Sequence, residues 1–214
     1  MRKVQFANGE YYHVYNRGVD HRSIVQSEAD SGRFLDSLEQ FNSVESIGGL
    51  KSHIALKEKK KKTPLVNIVA FCLNPNHFHL ILEQVADNGI SKFIKSLAGG
   101  YTKYFNLKYN RKGILFEGPF KVKHIDNNDY LLHLSCYVNL NNQLHKIGSP
   151  VSKLVRSSWH EYSNIHKNKK LCVPNIVLEQ FKSVSDYKKF ALDFLPDMLA
   201  KRGEYIELEN LTFD

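Results

Sequence analysis

The sequence predicts an α+β fold: a ferredoxin-like, split β-α-β antiparallel sheet with helices on one face, plus a C-terminal helical extension. Two observations predict it. Stretches of alternating or β-branched residues and stretches with apolar residues at three- and four-residue steps follow one another as β-α-β-β-α-β-α. The 214 residues, 42% hydrophobic with 13 Phe and 11 Tyr, supply one packed core and are too few for two independent ones. The expected division is a main domain at 1–150 and an extension at 151–214 packed on it.

Tyr11 to Tyr15 (YYHVY) alternates ring and aliphatic side chains with His13 and stops at Asn16-Arg17-Gly18, a first strand ended by turn residues. Glu28 to about Val44 carries Phe34, Leu35, Leu38 and Phe41 at helical spacing. Lys57 to Lys62 (KEKKKK) before Thr63-Pro64 is a charge run closed by proline, expected as an exposed loop. Val66 to Leu73 and His77 to Leu82, separated by Asn74-Pro75-Asn76, predict a hairpin of two central strands. Ile90 to about Leu107 reads as a helix interrupted at Gly99-Gly100, and Ile114 to Ile125 as a strand. Asn127-Asn128-Asp129 offers N-cap residues for a helix from Tyr130 to about Asn142, with Leu131, Leu134 and Val138 turned inward. Further on, Val177 to Phe194 looks helical, and Pro196 and an acidic end close the chain.

A formal charge of +8 favours a polyanionic partner, nucleic acid before a membrane surface. Cys72, Cys136 and Cys172 form no Cys-x-x-Cys pair and no even set, which argues against a disulfide framework or a thiolate zinc site and for a reducing cytoplasm. The longest apolar run, Ile68 to Leu73, is too short to span a bilayer, and the N-terminus lacks the apolar stretch of a signal peptide. No membrane association is expected.

His77 and His79 stand two apart on a predicted strand, so both imidazoles look the same way while Phe78 enters the core. Two such rings are half of a divalent-metal site, or two ordinary histidines. His133, Tyr137 and Asn141 follow at four-residue steps and share one helix face. On the helix alone, Tyr137 packs its ring and Asn141 caps the helix end; together with the histidines, the pair gains chemical meaning.

Five segments in order carry a resemblance: Tyr12-His-Val-Tyr-Asn-Arg-Gly18, Phe71-Cys-Leu-Asn-Pro-Asn-His-Phe-His-Leu80, Tyr101-Thr-Lys-Tyr-Phe-Asn106, Phe116-Glu-Gly-Pro-Phe-Lys121 and Tyr137-Val-Asn-Leu-Asn141. They resemble the successive motifs of single-tyrosine HUH transposases, especially the REP-associated tyrosine transposases. The likeness runs over roughly residues 10–162, ending with Ser157-Ser158-Trp159-His160-Glu161-Tyr162. It implies a single-strand DNA endonuclease and strand transferase that acts beside imperfect palindromic hairpins and becomes joined to a 5′ phosphate. Residues 1–150 would then be the catalytic domain. Tyr137 matches the nucleophile, and His77, His79 and Asn141 match the metal ligands, with Mg²⁺ or Mn²⁺ both compatible with two histidines and an amide. The chain departs from the family at Asn142-Gln143, where Pro-Val is usual.

Cations interleaved with rings suit unpaired DNA, and Lys103, Lys108, Arg111 and Lys112 are interleaved with Tyr101, Tyr104, Phe105 and Tyr109. Arg17, Lys121 and Lys123 are further phosphate candidates. Two other readings stay open: a domesticated DNA-binding or regulatory protein that does not cut, and a metal-dependent phosphodiesterase that uses water. Monomer and homodimer, with Tyr137 acting in cis or in trans, are both open.

Overall fold

The computed structural model describes residues 4–45, 63–144, 151–163, 171–201 and 203–204. The strands are β1 (Tyr11–Arg17), β2 (Val66–Leu73), β3 (His77–Gln84), β4 (Lys121–Ile125) and β5 (Arg156–Ser157). The helices are α1 (Glu28–Gln40), α2 (Gly89–Lys108), α3 (Asn128–Leu144), α4 (Trp159–Ser163), α5 (Asn175–Leu178) and α6 (Val184–Ala200). One antiparallel sheet in the order β4-β1-β3-β2-β5 results. Its first four strands follow the split β-α-β pattern expected, and β5 adds a fifth beside β2.

Register decides what each face carries. β1 pairs with β3 so that Arg17 faces His77, Tyr15 faces His79 and His13 faces Ile81. Side chains two apart share a face, so His13, Tyr15, Arg17, His77 and His79 all point to one side. Tyr12, Val14, Phe78, Leu80 and Leu82 point to the other, into a core built with Phe34 and Leu38 of α1 and Phe93, Leu97 and Tyr101 of α2. On the histidine side, Cys72, Ile81 and Ile125 meet Leu131, Leu134, Tyr137 and Val138 of α3.

Helices therefore cover both faces, where one was expected: α1 and α2 lie on one, α3 on the other. The reason can be read in the central strands. β2 and β3 are buried along almost their whole length, which a sheet with one wet face does not allow.

Other differences are local. α1 is capped at Ser27, whose side chain accepts from Asp30 N while Asp30 Oδ2 accepts from Ser27 N. Gly99-Gly100 does not interrupt α2, because Gly100 lies against the Phe41 ring, where a Cβ would come within 2.4 Å of Cζ. Only Lys121–Ile125 of the expected strand from Ile114 is β4; upstream, Phe116 makes an isolated bridge to Gly18. The expected helix from Val177 is two, α5 and α6, and α6 continues through Pro196. The Lys57 to Lys62 run lies outside the described residues.

The segment after residue 150 is stitched into the sheet. Phe71 N donates to Ser158 Oγ at 3.0 Å, Ser158 Oγ donates to Asn139 Oδ1 at 2.6 Å, and Asn139 Nδ2 donates to Tyr187 Oη at 2.9 Å. This chain of buried polar groups ties β2, α3 and α6 together. All three cysteines are buried and none is in a disulfide, and among the described residues no helix is long and apolar enough to cross a membrane.

Candidate active site

The β2–β3 turn and the second half of α3 meet on the histidine face of the sheet. His77 Nδ1 donates to Asn76 Oδ1 at 2.8 Å, which leaves Nε2 as a lone pair directed into the cluster. That Nε2 lies 3.3 Å from Asn141 Oδ1. His79 stands at right angles to His77, ring centroids 5.1 Å apart, and its Nδ1 is 3.0 Å from His13 Nε2. Tyr137 closes the cluster edge-on, its ring 5.4 Å from that of His79 and 6.4 Å from that of His13.

His13, His77, His79 and Tyr137 are buried, and Asn141 completely. Burial pushes His13 well below the usual imidazole range, and the nearby His79 and Lys123 push the same way, so its ring is neutral at neutral pH. Asn141 accepts from Asn74 Nδ2 at its Oδ1. Its Oδ1 is turned toward His77 while its buried Nδ2 has no hydrogen-bond partner, an arrangement that costs about 1–3 kcal/mol. Two imidazoles and an inward amide oxygen fit a divalent cation that accepts nitrogen and oxygen donors. Among the described residues no three His, Cys, Asp or Glu side chains gather in such a way, so the amide is needed to complete a three-ligand set.

The structure thus brings His77, His79, Tyr137 and Asn141 together. It does not bring His133, which is exposed and lies against Phe190 and Phe194 of α6, with centroids 5.5 and 4.6 Å away. Glu83 is at the far end of β3, opposite Tyr11, and accepts from Asn67. Two neighbours escape sequence reasoning. His13 reads there only as part of a strand, although its alternation with Tyr11 and Tyr15 already sets its face. Asn74 reads as turn chemistry, although it lies three residues before His77.

The cationic candidates divide between the two faces. Lys121 and Lys123 pair across β4–β1 with Tyr15 and His13, on the histidine side, and Lys123 Nζ stands 4.4 Å over the Tyr130 ring. Arg17 shares that side but is buried and forked onto Glu117, whose carboxyl it holds below the usual range. Lys103, Lys108, Arg111 and Lys112 belong to α2 and the loop after it, across the sheet. There Lys108 Nζ donates to Asp30 Oδ1 at 2.5 Å, and Arg111 holds its own loop through Asn106 Oδ1 and Ile114 O. Lys103 and Lys112 are exposed.

The model of the IS200-like transposase family matches residues 46–141. Among solved structures, a REP-associated tyrosine transposase bound to a REP hairpin is similar at 14% identity and a TM-score of 0.53, over 81% of this chain and 90% of that one. A candidate transposase from Deinococcus radiodurans aligns at 16% identity and a TM-score of 0.38, over 61% of this chain and 89% of that one. No curated protein matches in sequence.

Proposed function

We propose that this chain, whose residues 46–141 match the model of the IS200-like transposase family, belongs to that family and is a single-strand endonuclease and strand transferase of the REP-associated, tyrosine HUH kind. Its substrate would be single-stranded DNA beside an imperfect palindromic hairpin. One observation carries the reading: a tyrosine packed on His79, with an amide one helical turn away that reaches His77.

Tyr137 is the nucleophile. Its oxygen forms a bond to the scissile phosphorus as the bond from phosphorus to the 3′ oxygen breaks, leaving a 5′-phosphotyrosine and a 3′ hydroxyl. Because one phosphodiester replaces another, rejoining needs no nucleotide triphosphate. Tyrosine ordinarily ionises near about 10, so at neutral pH the phenol needs an electropositive neighbour. His77, His79 and Asn141 would hold Mg²⁺ or Mn²⁺, which when bound supplies Lewis-acid stabilisation of the phosphate charge. Asn76 fixes the His77 ring and His13 the His79 ring, so the ligands are set before any cation arrives. Packing of Tyr137 against His79 holds the phenol at that cluster. Lys121 and Lys123 border the same side and would take the phosphates of the strand.

The test is a denaturation-resistant adduct between the full chain and hairpin-bearing single-stranded DNA in Mn²⁺. The parent should form it, and Tyr137→Phe should bind the DNA but form none. Cleavage without an adduct would make water the nucleophile and overturn the reading, and DNA binding without any cleavage would leave a regulatory protein.

A further inference from the structure

The amide of Asn74 touches two of the side chains assigned above as ligands. Its Nδ2 donates to His77 Nε2 at 2.8 Å and to Asn141 Oδ1 at 2.5 Å, and those two acceptors are 3.3 Å apart. The three atoms make one small triangle. Octahedral coordination at about 2.1 Å, as Mg²⁺ requires, sets neighbouring donor atoms about 3 Å apart. The triangle has the dimensions of one face of such an octahedron, with Asn74 at its third corner.

Asn74 is fully buried and fixed by its own backbone, whose N–H donates to His77 O at 2.9 Å. In this arrangement its N–H groups point at the lone pairs a cation would use, so hydrogen bonds stand where positive charge belongs. An amide nitrogen cannot ligate, but rotation about the Cβ–Cγ bond exchanges nitrogen and oxygen at equal reach. The other end of the amide faces Cys72 Sγ, 3.6 Å from Oδ1. A thiol donates weakly to oxygen or accepts weakly from N–H, so it matches either orientation.

We propose that Asn74 is a further metal ligand, its amide turning over as a cation binds so that Oδ1 takes the corner Nδ2 holds. This rests on the reading of His77, His79 and Asn141 as a cation site. A purely hydrogen-bonding role has the opposite consequence: with Asn74 removed, its hydrogen bonds no longer compete for His77 and Asn141, and affinity holds or rises.

The experiment is calorimetric titration of Mn²⁺ into the full chain near neutral pH, without DNA, for the parent, His77→Ala, Asn74→Leu and Asn74→Asp, with circular dichroism as the folding control. The parent should bind, His77→Ala should not, Asn74→Leu should bind at least about tenfold more weakly, and Asn74→Asp at least as tightly as the parent. A folded Asn74→Leu chain that binds as tightly as the parent overturns the Asn74 assignment and leaves the cation site standing. A parent that binds no Mn²⁺, or a His77→Ala chain that binds like the parent, overturns both. If the Leu variant does not fold, Asn74→Asp decides, and weaker binding than the parent's overturns the proposal.

Discussion

His13 Nε2 stands 3.0 Å from His79 Nδ1, and this contact joins a side chain of the first strand to the proposed ligand set. Because burial keeps His13 neutral, it can accept the Nδ1 proton of His79 and so leave Nε2 of His79 as the electron-pair donor. His13 is a positioning residue in this arrangement.

His13→Ala should lower Mn²⁺ affinity by about 10- to 100-fold, the usual effect of losing a partner that orients a ligand. His13→Gln, whose amide oxygen can accept the same proton, should recover part of it. Calorimetry on the folded variants checks this, and equal affinities for all three proteins would remove His13 from the site.

Asn141 differs from His77 and His79 in offering an oxygen rather than an imidazole nitrogen. Asn141→Asp keeps an oxygen at the same reach and should retain metal binding, whereas Asn141→Leu keeps the size and should lose most of it. The same titrations decide: tight binding by a folded Leu variant would show that the amide is not a ligand.

The division of cations between two faces makes a prediction about DNA. The double variant Lys121→Ala/Lys123→Ala should weaken single-strand binding and reduce the slope of log affinity against log salt by about 0.7 for each phosphate that is no longer neutralised. Lys103→Ala/Lys112→Ala, across the sheet, should change it less. Fluorescence anisotropy at several salt concentrations measures both; a larger effect from the second pair would move the DNA path to the α2 side.

Asp30 gives a pH dependence. Burial alone would raise its carboxyl, but hydrogen bonds from Lys108, Tyr109, Gln26 N and Tyr104 outweigh that and hold it at about 2, below its ordinary 3.8. A lowered value in the folded state means stability that is complete above about pH 4 and is lost as pH falls through about 2. The contribution is about 2 kcal/mol. Asp30→Asn should melt lower than the parent at neutral pH and lack this acid-dependent step. Thermal melts at descending pH test it; parallel curves for the two proteins would contradict it.

Tyr187 is hydrogen-bonded to the inner face of α3: its hydroxyl accepts from Asn139 Nδ2 at 2.9 Å and lies 3.1 Å from Ser135 Oγ, whose own proton goes to Leu132 O. Tyr187→Phe removes the oxygen and leaves those groups buried without it, at a cost of about 1–3 kcal/mol. Urea unfolding should show this as a lower midpoint with an unchanged slope. An unchanged midpoint would mean that α6 is not needed to hold α3 in place.

The strands and helices that carry the candidate site can be read from the sequence because their signals are local. Alternation in YYHVY and HFHLIL, and four-residue steps from Tyr137 to Asn141, set side-chain direction before any tertiary contact is known. What cannot be read depends on partners distant in the chain. Arg17 looks like a phosphate contact because nothing nearby in sequence neutralises it; Glu117, a hundred residues on, does. Gly99-Gly100 looks like a break because the Phe41 ring that fills the space belongs to another element. His133 shares helical spacing with Tyr137, but the curvature of the helix surface and the rings of Phe190 and Phe194 carry it to α6.

Among the described residues the sheet order leaves β4 and β5 as its two margins, five and two residues long. An open strand margin is a template on which another chain can add itself, and long apolar margins seed fibres. Here one margin is almost too short to pair, and the other presents Lys121, Lys123 and His124. A second molecule laid against β4 in register would bring like charges together, so the lysines that border the candidate site also disfavour pairing of copies through their sheets.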